Sequence, residues 1–202
     1  MPSGIQLGLF DDRVVRDAKT RKIVNWPDCY RFPINFDAQK VEDVLGDDIR
    51  KSASPLLITG FTSLDYLIDF VAGLSEQQPE IVSILLGSEP SPARRSEYRL
   101  KRKSFPQEVL DYWLEAGISL GLCYKVILFI EMLEKKRIIS RYIPDHDHKL
   151  HAKIYLTDFS ASVGSSNFSF TGFRRQLEAN VRFDIHKEPK RYKEVKLVAE
   201  NY

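Results

Sequence analysis

Short apolar runs and helical periodicities alternate through the middle of the chain. Residues 56–60 and 81–86 form continuous apolar runs bounded by turn residues, a pattern typical of strands buried on both faces. Between the two runs, apolar residues recur at helical spacing, at Leu64, Leu67, Ile68, Val71 and Leu74. Thr62 and Asp65 have the spacing of a capping box, with Asp in place of Glu, and they predict the start of this helix. The β-α-β order predicts a right-handed crossover and a parallel pair of strands.

The second half of the chain continues the alternation. Helices are predicted over about 106–116 and 125–136, and further strands over 138–143, 149–157, 162–165 and 178–185. The apolar positions of these two helices are expected to face inward, and they are Val109, Leu110, Trp113, Leu114, Val126, Ile127, Ile130 and Leu133. An apolar 126–133 face is ordinary core, although a dimer interface would have the same composition. The pattern predicts an α/β fold with a mixed sheet between helices.

The two ends of the chain are less regular. Within 1–54, a short strand is expected at 5–10, an irregular packed segment at 28–37, and a short helix from a cap at Asp37 to Leu45. Residues 189–202 read as an amphipathic helix without a C-terminal cap, which suggests a domain of a longer chain or a helix that packs on a partner. We therefore expect an N-terminal segment (1–54) packed on a main domain (55–186), followed by a helical tail (187–202).

Composition bounds the class of protein. The 202 residues are 43% hydrophobic and 29% charged, the balance of an ordinary globular domain. The net charge is only +2, so any basic surface for nucleic acid must be local. Cys29 and Cys123 have no metal-type or redox-type spacing and are interpreted as reduced thiols. No apolar run approaches the ~18 residues of a membrane span, and the start does not resemble a signal peptide, so a cytoplasmic protein without membrane attachment is expected.

The segment 151–167, HAKIYLTDFSASVGSSN, concentrates the candidate chemistry. Side chains two apart share one face of a strand, so His151, Lys153, Tyr155 and Thr157 are expected on one side, with Ala152, Ile154 and Leu156 turned into the core. Ser165 and Asn167 share a face in the same way, and Gly164 lets the backbone come close. Two adjacent strands are thus expected to present His, Lys, Ser and Asn around one small volume.

These residue types can break a phosphodiester without a metal. Lys153 offers a positive charge, and Ser165 and Asn167 offer neutral donors to the non-bridging oxygens. A neutral imidazole can attack phosphorus to form a phosphohistidine, and a protonated imidazole on the other side can protonate the leaving oxygen. Glu178, at the start of the next predicted strand, could hold the His151 imidazole in one tautomer. Such chemistry needs two histidines, and the chain has one such motif.

The segment resembles the phospholipase D superfamily signature, which is His-x-Lys, four residues, Asp, about six residues, then Gly-Ser-x-x-Asn or Gly-Ser-x-Asn. Here it reads His151-Ala-Lys153, four residues, Asp158, five residues, then Gly164-Ser165-Ser166-Asn167. The second spacing is one residue short, which predicts a tight turn at 159–161. Ser169-x-x-Gly172 and Glu178-x-Asn180-Val181 are also similar to the family, so the resemblance covers 149–184.

The resemblance implies a role for each motif residue. His151 would be the nucleophile, or the general acid in its twin copy, while Lys153, Ser165 and Asn167 would bind phosphate. Glu178 would support His151, and Asp158 and Gly164 would be structural. The family fold joins two motif copies about a pseudo-twofold axis, so 55–186 would be a phospholipase D-like catalytic domain that supplies one half-unit. We expect a homodimer with a shared active site, without metal or other cofactor.

Other polar clusters have two interpretations each. A dense basic run, which could follow a nucleic-acid backbone or form a solvated surface, consists of Arg94, Arg95, Arg99, Lys101, Arg102 and Lys103. Arg174 and Arg175 are better placed to meet a polyanion near the site. Asp145-His146-Asp147-His148 has metal-ligand residue types but is interpreted as a polar turn. Trp26, Tyr30 and Phe32 could stack bases, although packing of an N-terminal arm is favoured.

Three hypotheses of function follow. The leading one is a metal-independent nuclease, an endonuclease acting on DNA in restriction or DNA processing. Small single-motif members of the superfamily include dimeric nucleases and restriction endonucleases, and similar domains occur attached to helicases, so a further DNA-recognition or helicase domain is a possible partner. The second is a phospholipid phosphodiesterase or phosphatidyl transferase. The third is a non-catalytic module that binds nucleic acid or dimerises, for which an intact His151 would be unnecessary.

Overall fold

A computed structural model describes residues 28–36, 39–74, 78–88, 104–143 and 149–202. A π-helical turn at Glu42–Gly46 leads into α1 (Asp47–Lys51). The other helices are α2 (Leu64–Ala72), α3 (Phe105–Ala116), α4 (Leu120–Glu134), α5 (Phe170–Arg174) and α6 (Pro189–Glu200). The strands are β1 (Leu56–Thr59), β2 (Val82–Leu86), β3 (Ile138–Tyr142), β4 (Ile154–Leu156), β5 (Ser160–Gly164) and β6 (Asn180–Asp184).

Within the described residues, six strands form one mixed sheet in the order β3-β2-β1-β4-β5-β6. β1 pairs in parallel with β2, and β2 with β3, as the β-α-β pattern predicts. β4, β5 and β6 continue the sheet by antiparallel pairing. The predicted fold class, a mixed sheet flanked by helices, is confirmed.

Hydrophobic clusters cover both faces of the sheet, so β4 is buried on the face that the sequence pattern expected to point away from the core. On one face, α2 and α4 cover a cluster that includes Leu57, Ile84 and Tyr155. On the other face, α6 covers Ile154 and Leu156. The sequence pattern assigned Tyr155 and Thr157 to a face away from the core, but both are buried. β4 is a central strand, so its two faces are both apolar.

The start of α2 differs from the predicted capping box by one residue. Ser63 is the N-cap, and its side chain accepts a hydrogen bond from the backbone N–H of Tyr66. The Thr62 hydroxyl instead donates to the backbone oxygen of Phe168 at 2.6 Å. Thr62 therefore ties β1's connection to the segment after β5, a long-range contact that a local capping motif cannot reveal.

The predicted inward faces of α3 and α4 are largely wrong. Phe129 is buried, and Trp113, Val126 and Met132 pack against the core. The remaining large apolar side chains of the two predicted faces are exposed, namely Leu110, Leu114, Ile127, Ile130 and Leu133. α4 also begins earlier than predicted, at Leu120. The 3.6-residue period identified the helices correctly, but the apolar residues run around α4, so the period did not select the side that packs.

The ends of the chain agree in part with the pattern. Residues 28–36 are irregular, and α6 confirms a helical tail. Helical structure at 42–51 extends past the predicted end at Leu45. The predicted strand at 5–10, the cap at Asp37, Trp26, the 94–103 basic run and 145–148 lie outside the described residues. None of the described helices is long and apolar enough to cross a bilayer.

Candidate active site

One edge of the sheet gathers the candidate residues. β4 runs antiparallel to β1, and β5 and β6 alternate in turn, so the end of β1 lies beside the start of β4, the end of β5 and the start of β6. His151 and Lys153 precede β4, Ser165 and Asn167 follow β5, and Glu178 precedes β6. The residues sit in the segments flanking the strands, so the predicted strands at 149–157, 162–165 and 178–185 are too long at this edge or misplaced by a few residues.

Two glycines let the His151 segment pass across the ends of β1 and β2. A Cβ on Gly87 would lie 2.1 Å from the backbone oxygen of Leu150, and one on Gly60 would lie 3.4 Å from Cδ2 of His151. Gly87 therefore admits no side chain without movement of the backbone before His151. Neither glycine was singled out from the sequence, although both follow the last residue of a parallel strand directly. That shared position is the signal that could have identified them.

The Lys153 side chain is bonded to the backbone of His151. The Lys153 side chain is buried, and its Nζ donates a hydrogen bond to the backbone oxygen of His151 at 2.7 Å. Burial lowers the pKa of Lys153 below its ordinary value, and the nearby Glu178 carboxylate acts in the opposite direction. His151 itself is exposed. The edge thus presents an exposed His151 and a buried Lys153 whose ammonium is partly desolvated.

Glu178 contacts Ser165 rather than His151. The Ser165 hydroxyl donates to Oε2 of Glu178 at 2.5 Å, and the backbone N–H of Ala179 donates to the Ser165 oxygen at 2.9 Å. In the described part of the chain, the Glu178 carboxylate makes no hydrogen bond to the His151 imidazole. The predicted role of Glu178 in fixing the imidazole tautomer is therefore not visible in this geometry, because the carboxylate is directed to its strand neighbour.

The backbone of Asn167 packs directly against α5. A Cβ on Gly172 would lie 2.4 Å from the backbone oxygen of Asn167, so α5 packs directly against this residue. The Thr59 hydroxyl accepts from the backbone N–H of Phe168 at 3.0 Å and lies 3.4 Å from Oδ1 of Asn167. No partner for Asn167 Nδ2 occurs among the described residues. Consecutive residues, Thr59 and Gly60, thus adjoin Asn167 and His151, respectively.

A buried layer supports the segment 165–167. The Tyr155 hydroxyl donates to the backbone oxygen of Ser166 at 2.7 Å, and Asn180 Nδ2 donates to the Ser166 hydroxyl at 2.9 Å. Burial raises the pKa of Tyr155 well above its ordinary value, so the phenol remains a neutral donor. A Cβ on Gly164 would lie 2.1 Å from Oδ1 of Asn180, so the close backbone approach expected at Gly164 is present.

Asp158 lies at the opposite end of β4 from His151. Its Oδ2 accepts a hydrogen bond from the backbone N–H of Ala53 at 2.6 Å, and its own N–H donates to the Ser52 hydroxyl at 3.2 Å. Asp158 therefore joins the β4–β5 turn to the segment before β1, a structural contact of the kind its motif position implies. The turn comprises Asp158 and Phe159, and Ala161 already belongs to β5, so the predicted turn at 159–161 is misplaced by one residue.

Arg174 is engaged by an acidic partner. Its Nε and Nη2 donate to the two carboxylate oxygens of Glu42, which also accepts from Arg50 at 2.8 Å. Burial acts to raise the pKa of Glu42, but the hydrogen bonds from the two guanidinium groups more than offset it and lower the pKa. Arg175 lies over the Phe170 ring, 4.7 Å from its centroid. Of the two arginines expected to meet a polyanion, Arg175 is the one without a carboxylate partner in the described part of the chain.

No group of three or more His, Cys, Asp or Glu side chains that could hold a metal ion occurs among the described residues. Cys29 and Cys123 are both free thiols.

Comparisons with known proteins give structural neighbours only. No protein-family model and no curated protein matches the chain. A phospholipase D family member, Nuc, from Salmonella typhimurium is 13% identical, with 85% of this chain and 91% of that chain covered and a TM-score of 0.48. NucT from Helicobacter pylori is 15% identical, with 76% and 86% covered and a TM-score of 0.36. Phosphatidylserine synthase from Haemophilus influenzae is 15% identical, with 82% and 37% covered and a TM-score of 0.48. Of these three neighbours, Nuc is a member of the phospholipase D family, whose signature residues 149–184 resemble.

Proposed function

We propose that this protein is a metal-independent phosphodiesterase that cleaves DNA through a covalent phosphohistidine on His151. The observation that carries the proposal is the convergence of His151, Lys153 and Asn167 at one sheet edge. The Lys153 ammonium donates to the backbone oxygen of His151, and His151 is exposed. Gly60 lies beside His151, and the preceding Thr59 lies beside Asn167. A nucleophile, a cation and a neutral donor are the groups that attack on a charged phosphodiester requires.

The first step forms the phosphohistidine. Lys153 and the Nδ2 group of Asn167 hold the non-bridging oxygens, where they stabilise charge in the transition state. A neutral His151 imidazole nitrogen attacks phosphorus, so a P–N bond forms as the P–O bond to the leaving strand breaks. The leaving oxygen takes a proton from the imidazolium of His151 in a second copy of the chain.

The second step releases the product and restores both histidines. The now neutral imidazole of the second copy takes a proton from water, whose oxygen attacks phosphorus as the P–N bond breaks. His151 leaves as a neutral imidazole, and its counterpart is again protonated. Because each chain contributes one motif, the cycle needs two copies with a shared site, and isologous twofold contact is the simplest arrangement.

Ser165 and Glu178 act as a pair in this account. The Ser165 hydroxyl donates its hydrogen bond to the Glu178 carboxylate and accepts one from the backbone N–H of Ala179. These two bonds hold the Ser165 oxygen in place. The carboxylate also raises the pKa of Lys153 against the effect of burial. We therefore assign Glu178 the tasks of orienting Ser165 and of keeping Lys153 protonated.

DNA is the proposed substrate because the exposed Arg175 follows the Gly-Ser-x-Asn segment, and phosphate backbones are recognised chiefly through such cations. Restriction or DNA processing is the proposed setting, in a cytoplasmic protein that acts with a DNA-recognition or helicase domain. Plasmid DNA incubated with the protein in EDTA tests the proposal. We expect the wild type to nick or linearise the plasmid and His151→Ala to have no activity.

His186→Ala is the matched control. His186 is an exposed histidine in the turn after β6, at the opposite end of that strand from Glu178 and the candidate site. It should cleave as the wild type does. Release of head group from phosphatidylcholine vesicles without DNA cleavage would instead assign the site to a lipid substrate. DNA binding that His151→Ala leaves unchanged, with no cleavage by the wild type, would identify a binding module and overturn the proposal.

A further inference from the structure

The segment between α5 and β6 leaves the candidate site and returns to it within a few residues. It leaves at Gly172, where a Cβ would lie 2.4 Å from the backbone oxygen of Asn167. It returns at Glu178, whose carboxylate accepts a hydrogen bond from the Ser165 hydroxyl at 2.5 Å. Both ends of the segment therefore adjoin residues that the proposed chemistry uses. We call its residues 175–177 the rim loop.

Hydrogen bonds fix the backbone of the rim loop. The N–H groups of Arg175 and Gln176 donate to the backbone oxygen of Thr171 at 2.9 and 2.8 Å, respectively. Asn35, whose side chain is buried, donates through Nδ2 to the backbone oxygens of Gly172 and Gln176, each at 2.8 Å. A loop that is ordered before a ligand arrives loses little conformational entropy on binding, so its contacts contribute more to affinity.

The side chains of the rim loop are exposed although its backbone is fixed. Arg175, Gln176 and Leu177 are all exposed, and the exposed fraction of Leu177 is 68%. Arg175 lies over the Phe170 ring and has no carboxylate partner among the described residues. The rim loop thus offers a cation, an amide and an apolar group at three consecutive positions.

The position of Leu177 separates it from other exposed leucines. Single apolar side chains are common on protein surfaces, so exposure alone carries no conclusion. Leu177, however, directly precedes Glu178, which is bonded to Ser165. Adjacent Cα atoms are about 3.8 Å apart, close to the ~3.4 Å axial spacing of nucleotides in one strand of a duplex. A nucleotide that flanks a phosphate held at the site therefore lies within reach of Leu177.

We infer that the rim loop binds the nucleotide that flanks the scissile phosphate, with Leu177 packed against its base or sugar. Arg175 contacts the phosphate of this nucleotide, because cations of this kind supply most of the affinity for a nucleic-acid backbone. The hydrophobic contact is non-directional, so Leu177 strengthens binding with little preference for sequence. That the flanked phosphate is the one that reacts rests on the proposed function, whereas the contact between the rim loop and nucleic acid does not.

A nucleic-acid strand fits this loop better than a lipid does. A strand places a second phosphate beside the one that reacts, and Arg175 offers a cation for it two residues from Leu177. A phospholipid whose phosphodiester occupies the site has no second phosphate next to it. The pairing of a cation with an apolar group in one rigid loop therefore matches the alternation of phosphate and nucleoside along a strand.

Polymeric and small substrates separate the rim loop from the reacting groups. Leu177→Ser and Arg175→Gln alter exposed side chains, so the thermal melt of each variant should match that of the wild type. Each should raise the dissociation constant of an oligonucleotide about tenfold by fluorescence anisotropy, in the single-stranded or duplex form that the wild type binds more tightly. The effect of Arg175→Gln should shrink at high salt, and that of Leu177→Ser should not.

A phosphodiester without a flanking nucleotide gives the second measurement. In both variants the loss of kcat/KM on the oligonucleotide should exceed the loss on methyl p-nitrophenyl phosphate by about tenfold. Ile81→Ser and Lys187→Gln are the matched controls, because both residues are exposed at the end of the sheet opposite to His151. They should bind and cleave as the wild type does.

Several outcomes would overturn the inference. They are equal losses on the two substrates, unchanged oligonucleotide binding by Leu177→Ser, and a wild type that binds no oligonucleotide. A wild type that cleaves DNA in EDTA while Leu177→Ser binds normally keeps the proposed function and loses the inference. A wild type that cleaves neither substrate, but whose oligonucleotide binding both variants weaken and both controls leave intact, loses the function and keeps the rim loop.

Discussion

The Lys153 ammonium donates a hydrogen bond to the backbone oxygen of His151 at 2.7 Å, although the Lys153 side chain is almost fully buried. The bond joins two residues that are only two positions apart, so it holds the backbone of the short segment before β4 without engaging the imidazole. The two residues of the proposed chemistry are thereby joined by one local contact. The ammonium is buried, and His151 stays exposed.

Lysine titration gives a pH prediction. Burial lowers the pKa of Lys153 from 10.5, so the ammonium loses its proton, and the phosphate its cation, as pH rises through that lowered value. In the His151→Ala variant, where no imidazole titrates at residue 151, the affinity for an oligonucleotide should therefore weaken as pH rises, beginning below pH 10.5. Adding Lys153→Arg, whose guanidinium stays charged, should remove this pH dependence. A pH dependence that Lys153→Arg leaves unchanged would show that another group titrates.

Alkaline unfolding is separable from this effect. A lysine whose pKa is lower in the folded state makes the protein more stable as pH rises between the folded and unfolded values, so Lys153 does not cause unfolding there. Tyr155 has the opposite sign: its raised pKa contributes stability that is present below the unfolded tyrosine value of about 10 and is lost above it. Affinities should therefore be compared below pH 10, with a thermal melt at each pH.

Gly87→Ala should displace the segment that carries His151. The new Cβ would lie 2.1 Å from the backbone oxygen of Leu150, so the backbone must move. We expect a loss of about 1–3 kcal/mol in the free energy of unfolding, and about a hundredfold loss of activity from a shift on the order of 1 Å. Urea unfolding and plasmid cleavage measure the two effects.

Gly121→Ala is the control for that substitution. Gly121 lies in α4 with only the Ser119 hydroxyl near its Cβ position, at 3.9 Å, so Ala fits and should add up to about 1 kcal/mol of stability. Full activity in Gly87→Ala would show that the close crossing of β2 and Leu150 does not position His151.

The sequence predicted some features of the site but not the contacts between residues that are distant along the chain. The parallel pair β1–β2 follows from two apolar runs separated by a helical period. The motif identified His151, Lys153, Ser165 and Asn167, but they lie just outside the strands, so the period of 2 did not place them. Gly87 escaped notice because its constraint comes from Leu150, which is distant in sequence. The pairing of Glu178 with Ser165 and of Arg174 with Glu42 also depends on side-chain direction, which local spacing does not determine.

Thr59 is predicted to position Asn167. Its hydroxyl accepts from Phe168 N–H and donates to the Phe61 backbone oxygen, each at 3.0 Å, while Thr62 donates to the Phe168 oxygen. Thr59→Val and Thr62→Val should each cost about 1–3 kcal/mol of stability. Only Thr59→Val should also lower kcat/KM, by about tenfold beyond the Thr62→Val variant, because only Thr59 adjoins Asn167. Equal losses in both variants would assign Thr59 to stability alone.

Ser165→Ala and Glu178→Gln should be non-additive. If Glu178 acts through the Ser165 hydroxyl, the double variant loses little more activity than the more damaging single variant. Additive losses in the double-mutant cycle would instead show that Glu178 acts mainly apart from the Ser165 hydroxyl, through Lys153 or the His151 imidazole. In the His151→Ala variant, adding Glu178→Gln should make oligonucleotide binding weaken at a lower pH, because it removes the charge that raises the pKa of Lys153.

Trapping of the covalent intermediate tests the central claim most directly. The wild type is mixed with a labelled oligonucleotide in EDTA, and the reaction is quenched rapidly without acid. Peptide mass spectrometry should then find a phosphoramidate adduct on His151. His186→Ala should give the same adduct, and His151→Ala should give none and should not cleave. Cleavage by the wild type with no adduct on His151, together with undiminished cleavage by His151→Ala, would contradict the account.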